Sequence, residues 1–320
     1  MWLTWRAATE RALYGDEGFY LRERPSGHFR TSVSASAAFA DAVLALLLGV
    51  DAELGAPDVL DLVDIGAGEG VLVTRVLSAA EPALRKRLRV TAVDLSPRPD
   101  GLPAEIEWRR SLPTGITGLA IANEWLDNVP LDIAEQTADG PRLVMVDAHT
   151  GEERLGGPLR PADREWLDRW WPLSRVGARA EIGRPRDEAW ASVLARLNKG
   201  RAIAVDYAHP VDNRPLCGTL TGYRDGAVVA PIPDGTCDIT AHVALDACAE
   251  AGRRAGAIST ALSTQRDALR ELGITGTRPP VELARSDPRG YVRALSRASE
   301  EGELIDPSGF GGFGWLSQTC

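Results

Sequence analysis

The run "LVDIGAGEG", residues 62–70, joins a short apolar stretch to a glycine-rich turn. An apolar run of this length, bounded by a turn, is typical of a strand buried inside a parallel sheet. Gly66, Gly68 and Gly70 form a G-x-G-x-G pattern, and glycine allows the main chain to approach a ligand closely. In doubly wound sheets such a turn lies at the carboxyl edge, where ligands bind. The stretch therefore predicts a ligand-binding turn in an α/β fold.

The spacing of the turn favours one kind of ligand. A dinucleotide turn reads G-x-G-x-x-G and a phosphate-binding P-loop continues into G-K-[ST], and neither pattern occurs here. Asp64, two residues before the first glycine, would repel a pyrophosphate but suits the sulfonium and ammonium groups of S-adenosylmethionine. The next apolar run ends in "AVDLS", which places Asp94 to accept hydrogen bonds from ribose hydroxyls. We therefore expect S-adenosylmethionine, held by the turn, Asp64, Asp94 and the adjacent Leu95.

The surrounding pattern alternates helices and strands. Apolar spacing predicts a helix over 36–49 that ends at Gly49 and another over 71–88. Further core strands are expected at 89–96, 118–127 and 201–210, with late strands at 256–265 and 312–319. A late antiparallel hairpin on a parallel sheet is typical of methyltransferases rather than dehydrogenases. The predicted fold class is a Rossmann-like class I methyltransferase sheet with an N-terminal helical segment and an inserted subdomain.

The chain between the third and fourth core strands is too long for one crossover helix. It contains a candidate strand at 142–150, the tryptophan-rich run "REWLDRWWPL" at 164–173, and a helical run at 186–198. The tryptophans suit either a core or a substrate platform. A further helix is expected over 238–252, capped by Asp238 or Thr240. The predicted organisation has three parts: an N-terminal segment closing over the cofactor (1–57), a methyltransferase core (58–134 and 186–320), and an inserted substrate- or partner-binding subdomain (135–185).

Composition restricts the classes of partner. The net charge of −9 and the lack of a long basic run argue against nucleic acid, and an acidic protein suits a cationic substrate. No apolar window is long enough to span a membrane, and the N-terminus has no secretory layout, so we expect a cytoplasmic protein. The four cysteines form no C-x-x-C pair, so no metal site is expected. The oligomeric state stays open, with a homodimer among the alternatives.

Four motifs occur together and in order along nearly the whole chain. They are "LYGDEGFY" (13–20), "GHFRTS" (27–32), "IANEWLDNVPLD" (121–132) and "GTLTGYRDG" followed by "DITAHV" (218–243). With this set the chain resembles the MidA family of class I methyltransferases, whose mitochondrial members are assembly factors of respiratory complex I. The resemblance implies methyl transfer from S-adenosylmethionine, and in characterised eukaryotic members the acceptor is an arginine side chain of a complex I subunit.

The resemblance also implies roles for individual residues. In the N-terminal segment, four residues would close over the cofactor: Gly27, Phe29, Thr31 and Ser32. After the third strand, Asn123, Glu124 and Asp127 would lie where cofactor and substrate meet. His28, Tyr207 and His242 are candidates for contact with the acceptor. The alternatives are a structural role, which is more common for a lone histidine, and for the Tyr207 hydroxyl a hydrogen-bond partner at the sheet edge.

The residue types at 124 and 127 suit an arginine acceptor. Guanidinium is fully protonated near neutral pH and is therefore a poor nucleophile. Two carboxylates can hold its planar fork and draw its charge away from the attacking nitrogen. Glu124 and Asp127, three residues apart, would share a face if the turn after the strand is helical. The alternatives are that Asp127 caps a helix and that Glu124 supports the cofactor.

The chain departs from the family pattern in three places. His28 replaces the aspartate of the usual G-D-F-x-T-S, Ala208 replaces the glycine of a D-Y-G triplet, and the insert is short. The short insert and His28 motivate one alternative to a protein arginine methyltransferase, a small-molecule methyltransferase of natural-product type. The tryptophan cluster at 164–173 motivates another, a non-catalytic assembly chaperone that keeps the fold.

Overall fold

The computed structural model describes residues 1–23 and 30–320. In this part of the chain the α-helices are α1 (Trp5–Tyr14), α2 (Phe19–Arg22), α3 (Ser32–Ala35), α4 (Ala37–Glu53), α5 (Val71–Ala79), α6 (Pro82–Arg85), α7 (Pro161–Trp170), α8 (Arg184–Leu194), α9 (Leu245–Arg254), α10 (Gln265–Glu271), α11 (Val281–Ser286) and α12 (Pro288–Leu304). The strands are β1 (Trp2–Thr4), β2 (Leu60–Ile65), β3 (Leu88–Val93), β4 (Ile106–Arg109), β5 (Ile116–Asn123), β6 (Asp132–Thr137), β7 (Gly140–Asp147), β8 (Glu153–Pro158), β9 (Arg179–Ile182), β10 (Leu197–Asp206), β11 (Thr221–Arg224), β12 (Ala227–Val229), β13 (Asp238–Thr240), β14 (Ser259–Thr264) and β15 (Gly314–Thr319).

The main sheet has seven strands in the order β14-β15-β10-β5-β2-β3-β4. Strands β10, β5, β2, β3 and β4 pair in parallel, whereas β15 pairs antiparallel with both β10 and β14. The strand order reverses between β2 and β5, so the carboxyl ends of these two strands form the switch point at which ligands bind. The predicted Rossmann-like fold class is confirmed. The late strands β14 and β15 pair antiparallel as expected, but residues 265–313 with three α-helices lie between them, so they do not form a hairpin.

Helices cover both faces of this sheet, which explains its uninterrupted apolar strands. Every residue of β2 is buried. One face packs against α4 and α5, through Phe39, Leu47 and Val76 among others. The other face packs against α8 and α9, through Trp190 and Ala249. Among the described residues, none of the helices combines the length and the apolar character needed to cross a bilayer.

Two smaller sheets flank the core. In one, β7 pairs with β1, β6 and β8, and β6 pairs with β9. The other joins β11 to β12 and β13. Strand β1 therefore ties the N-terminal segment to the chain that follows β5. The predicted division into 1–57, 58–134 with 186–320, and 135–185 stays a prediction.

Several element boundaries differ from the sequence expectation. Helix α4 continues past Gly49 to Glu53, because its packing on the sheet outweighs one glycine. The helix expected over 71–88 ends at Ala79 and a short one begins at Pro82, since proline cannot continue a helix. The helix expected over 238–252 is instead strand β13 followed by α9 from Leu245, so Asp238 and Thr240 are not its caps. Strand β4 was not foreseen.

Candidate active site

The glycine turn follows β2 directly and leads into α5. Gly66 and Gly68 have φ angles of 71° and 56°, a region that favours glycine. A Cβ on Gly66 would lie 2.8 Å from Cδ1 of Trp125, so no larger residue fits without displacing that ring. Gly70, at the N-cap of α5, also has positive φ but does not line the cavity described below. The turn therefore presents bare main chain at the switch point.

Asp94 connects this turn to the end of β3. Its Oδ2 accepts a hydrogen bond from the Gly68 N–H at 2.8 Å, and its Oδ1 accepts one from the Ser96 N–H at 2.8 Å. Asp64 is buried beneath the turn, and burial, with the negative charge of Asp94, raises its pKa to about 7. A cation placed beside these two carboxyls would stabilise their ionised forms. This half of the site is therefore suited to a cationic ligand.

A cavity of about 750 Å³ opens at this edge of the sheet. The predicted site residues that line it are Thr31, Asp64, Gly66, Gly68, Asp94, Leu95, Asn123 and Glu124. Its wall continues past them to Tyr14, Tyr20 and Asn128. The cavity thus has room for a second group beside the ligand of the glycine turn.

Glu124 lines the same cavity as the glycine turn. Its Oε1 accepts hydrogen bonds from the Ser32 N–H at 2.8 Å and from Nδ2 of Asn123 at 3.0 Å. Burial raises its pKa to about 8, and the charge of Asp127 adds to the rise. Glu124 also has a φ of 51°, which is uncommon for a residue with a side chain and is often found at functional sites. The fold holds this carboxyl in a defined place and in an environment that disfavours its charge.

Asp127 lies behind Glu124, in a 3-10 turn formed by Leu126–Asn128. It is buried and does not line the cavity. Its Oδ2 accepts a hydrogen bond from the Thr240 hydroxyl at 2.7 Å, while its Oδ1 has no partner among the described residues. Asp206, at the end of β10, accepts the N–H groups of Leu126 and Asp127 at 2.9 and 3.2 Å. The turn is therefore anchored to the sheet, and one carboxylate oxygen of Asp127 accepts no hydrogen bond from the described residues.

Arg186 joins two loops at the site. This buried guanidinium on α8 donates to the main-chain carbonyls of Ala241 and His242 at 2.8 and 2.9 Å, to Val129 at 3.3 Å, and to Asp127. Burial lowers its pKa, and the nearby charges of Asp127 and Asp206 oppose that effect. Arg186 thus fixes the loop after β5 against the loop after β13.

Two tyrosines of the "LYGDEGFY" motif form the far wall of the cavity. The Tyr14 hydroxyl donates to the main-chain carbonyl of Asn128 at 3.2 Å, and the Tyr20 hydroxyl donates to Oδ1 of Asp238 at 2.8 Å. The same Oδ1 accepts Nδ2 of Asn128 at 3.0 Å, and the two phenol rings lie 5.5 Å apart. The N-terminal segment is therefore bonded to the loop that carries Glu124.

The remaining predicted site residues have varied positions. Gly27, His28 and Phe29 lie outside the described residues. Ser32 is buried, and its hydroxyl donates to Oε1 of Gln265 at 3.0 Å. The rings of Tyr207 and His242 stack at 5.4 Å, and neither residue lines the cavity. In the described part of the chain, no group of three or more His, Cys, Asp or Glu side chains could hold a metal ion.

Comparison with known proteins decides the family. A family model described as "Putative S-adenosyl-L-methionine-dependent methyltransferase" matches residues 47–263. The chain belongs to this family. It is also similar to a Burkholderia thailandensis protein crystallised with S-adenosyl-homocysteine, with 26% identity, a TM-score of 0.82, and coverage of 100% of this chain and 88% of that one. A native structure of an uncharacterised protein from the same organism gives 27% identity, a TM-score of 0.81, and coverage of 100% and 87%. Among curated proteins none matches.

The cofactor of this methyltransferase is S-adenosyl-L-methionine, as the glycine turn predicts. The site fits that group, because a Cβ on Gly68 would have no atom within 4 Å, so bare main chain borders open cavity there, and because the surrounding carboxyls suit a sulfonium. The oxygen Oδ1 of Asn123 is also buried without a partner among the described residues.

The structure adds residues that the sequence analysis did not assign to the site. Tyr14, Tyr20 and Asn128 stand within the quoted motifs, so the motifs carried a signal for them. The sequence carries no signal for the role of Arg186, since one arginine in a helical run of charged residues does not indicate a buried contact.

We expect the unliganded methyltransferase to become less stable as the pH rises from 5.5 to 8.5. Burial raises the pKa to about 7 for Asp64, Asp187 and Asp238, and to about 8 for Glu124. The folded chain therefore keeps protons that the unfolded chain has released above about pH 4.5, so stability falls through this window. Scanning calorimetry should show a drop in Tm of at least about 5 °C.

The control for this prediction is Asp187→Asn. Asp187 lies outside the cofactor cavity and accepts a hydrogen bond from Nε1 of Trp166 at 2.7 Å. The variant should show a shallower decline in Tm, because one titrating group is gone. A Tm that stays level or rises between pH 5.5 and 8.5 would contradict the assignment of raised pKa values.

Proposed function

We propose that this chain is a MidA-type enzyme that methylates an arginine side chain of a protein partner. The observation that carries the proposal is the buried carboxyl of Glu124, held at 2.8 Å by the Ser32 N–H in a cavity that continues beyond the cofactor half. A buried acid with a raised pKa is stabilised in its ionised form by a cation, and guanidinium is a cation with two donors on one edge.

The cofactor half would be held by the residues predicted for it. Asp94 would accept the ribose hydroxyls through lone pairs that its bonds to Gly68 and Ser96 leave available. The turn at Gly66 and Gly68 would approach the ligand with main chain, and Asp64 would offset the positive charge. When bound, the cofactor supplies an electrophilic methyl group on its sulfonium. Catalysis by the chain is then mainly positioning of the acceptor nitrogen in line with that group.

The acceptor half would be organised by Glu124. Ser32 and Asn123 fix one of its oxygens, which leaves the second to accept guanidinium N–H groups. Asp127 stays the proposed second acid, but it lies behind Glu124 and outside the cavity, so its proposed action is through Glu124, whose pKa is raised by burial and further by the charge of Asp127. Tyr207 and His242, stacked behind, would support the loops that frame the acceptor rather than touch it. The segment 135–185 is the proposed surface for the protein partner, and the cytoplasm is the proposed location.

The experiment is transfer of a tritiated methyl group from S-adenosylmethionine into proteins of a cell lysate. Labelled protein should be hydrolysed and its amino acids separated, and we expect the label in methylated arginine. Label in lysine or histidine would overturn the arginine acceptor. Label confined to small molecules would favour the natural-product alternative. Binding of S-adenosylmethionine with no transfer to any acceptor would favour a chaperone.

We expect a rise in pH to increase acceptor turnover and cofactor affinity in two separable steps. Only ionised Glu124 can hold a guanidinium, so kcat/KM for the acceptor should rise about tenfold per pH unit up to about pH 8 and then level off. The affinity for S-adenosylmethionine should improve as Asp64 ionises near pH 7. Steady-state kinetics at saturating cofactor and calorimetry over pH 6 to 9.5 measure the two steps.

The control for the pH profile is Asp64→Asn. This variant should lose the pH dependence of its affinity for S-adenosylmethionine. Its kcat/KM for the acceptor should still rise up to about pH 8, because Glu124 is unchanged. A kcat/KM that does not change over this range would show that Glu124 does not need to ionise.

A further inference from the structure

A second cavity, of about 330 Å³, lies between the β1-β6-β7-β8-β9 sheet and the chain from Cys217 to Ile232. Its walls combine apolar side chains with a few charged ones. The apolar part includes Ile133, Leu220 and Ile232. The charged part comes from Glu153, Arg179 and Glu181. The cavity shares no lining residue with the cofactor cavity, so it is a separate compartment.

Glu181 on β9 is the polar group of this cavity that is incompletely bonded. It is 2% exposed, and its Oε1 accepts the N–H groups of Thr219 and Leu220 at 2.5 and 3.0 Å. Its Oε2 is buried and has no partner among the described residues. A buried carboxylate oxygen without a donor is costly, so such an atom calls for a partner, which a bound water, an ion or a ligand would supply.

The charges around Glu181 favour a cation. Arg179 pairs with Glu135 at 2.7 Å and with Glu153 at 2.6 Å, so one guanidinium already serves two carboxylates. Glu181 adds a third. Arg186 lowers the pKa of Glu181 by its charge, but burial has the larger effect and raises that pKa, and the Arg186 donors go to main-chain carbonyls. Two carboxyls of the lining, Glu153 and Glu181, therefore share one lining guanidinium, Arg179, and a cation beside Glu181 would stabilise its ionised form.

The kind of cation follows from the walls. A metal ion would need several carboxylate, thiolate or imidazole ligands together, and the described residues include no such group of three. Apolar side chains suit the carbon stem of an organic molecule. Nε1 of Trp5 is engaged with Glu153 at 2.8 Å, so its ring is held rigidly in the wall.

We propose that this cavity binds a small organic cation, an alkylammonium or alkylguanidinium, whose N–H groups bond to Oε2 of Glu181 while its stem packs against Ile133, Leu220 and Ile232. The proposal does not depend on the identity of the methyl acceptor. It assigns to the β1-β6-β7-β8-β9 sheet a binding role that is separate from methyl transfer.

Cys217 provides a local test, because it is exposed and lines this cavity. The full chain, saturated with S-adenosylhomocysteine, is treated with iodoacetamide, and alkylation of each cysteine is followed by mass spectrometry. We expect n-butylguanidinium or n-butylammonium to slow alkylation of Cys217 at least threefold. Neutral n-butanol should not slow it, and Cys320, outside the cavity, should react at an unchanged rate.

Glu181→Gln keeps the size of the side chain and removes the charge, so it should abolish the protection. The matched control is Glu152→Gln, an exposed residue beside the cavity that does not line it, and this variant should keep the protection. If Glu181→Gln misfolds, shown by alkylation of buried Cys248, Ala230→Trp is used instead to fill the cavity, and it should also end the protection. Equal protection by butanol, no protection by either cation, or full protection in Glu181→Gln would overturn the proposal.

Discussion

Replacing Glu124 by glutamine should lower methyl transfer to the protein acceptor by about a hundredfold to a thousandfold. The substitution keeps the shape and an oxygen that can accept from Ser32 and Asn123, so the loop should keep its conformation. It removes the negative charge that would hold and polarise the guanidinium. It also adds an amide N–H group, which would face the N–H groups of the guanidinium, donor against donor. The affinity for S-adenosylmethionine should change by less than about fivefold, because the cofactor half relies on the glycine turn and Asp94.

Single-turnover labelling measures transfer, and calorimetry measures cofactor affinity in the same preparation. Glu105→Gln, at an exposed position next to β4, is the control for the substitution itself and should keep full transfer. Full transfer by Glu124→Gln would remove Glu124 from the acceptor site. Equal losses of transfer and of cofactor affinity would instead assign Glu124 to the cofactor, which is the alternative left open by the sequence.

Local chemistry explains which parts of the fold could be predicted. The buried run before Gly66 and the position of Asp94 after β3, beside the glycine turn, follow from rules that act over a few residues. The late strands β14 and β15 were also recognisable, although residues 265–313 separate them and they form an antiparallel pair rather than a hairpin. The errors occur where packing outweighs a local signal. Gly49 fails to end α4 because the helix continues along the sheet, and Asp238 is in a strand because β13 pairs with β11.

In the candidate site, even fewer contacts could be predicted from local sequence rules. Glu124 was found through its motif, but its burial and its left-handed φ come from the fold. The bond from Tyr14 to Asn128 joins residues 114 positions apart, and that from Tyr20 to Asp238 spans 218. Arg186 reaches two loops from a third element. No periodicity or spacing rule anticipates such contacts, because they depend on which segments the sheet brings together.

Replacing Asp94 by alanine should weaken the binding of S-adenosylmethionine by at least about a hundredfold. The substitution removes the proposed acceptor of the ribose hydroxyls, and charged hydrogen bonds of this kind contribute strongly to affinity. It also removes the carboxylate that ties Gly68 to Ser96, so the turn loses its anchor to the end of β3. Both effects act on the cofactor, which means that turnover at saturating cofactor should fall much less than affinity.

Asp100→Ala is the matched control, because Asp100 lines the same cavity from an exposed position and the same atoms are removed. Its Kd for S-adenosylmethionine should stay within about threefold of the parent. Calorimetry with S-adenosylmethionine and with S-adenosylhomocysteine distinguishes an effect of Asp94 on the ribose and the turn from an effect on the sulfonium charge. The ribose is common to both ligands, so Asp94→Ala should weaken both by similar factors. A loss restricted to S-adenosylmethionine would mean that Asp94 acts on the sulfonium charge instead, and a change below fivefold for both would exclude it as the ribose acceptor.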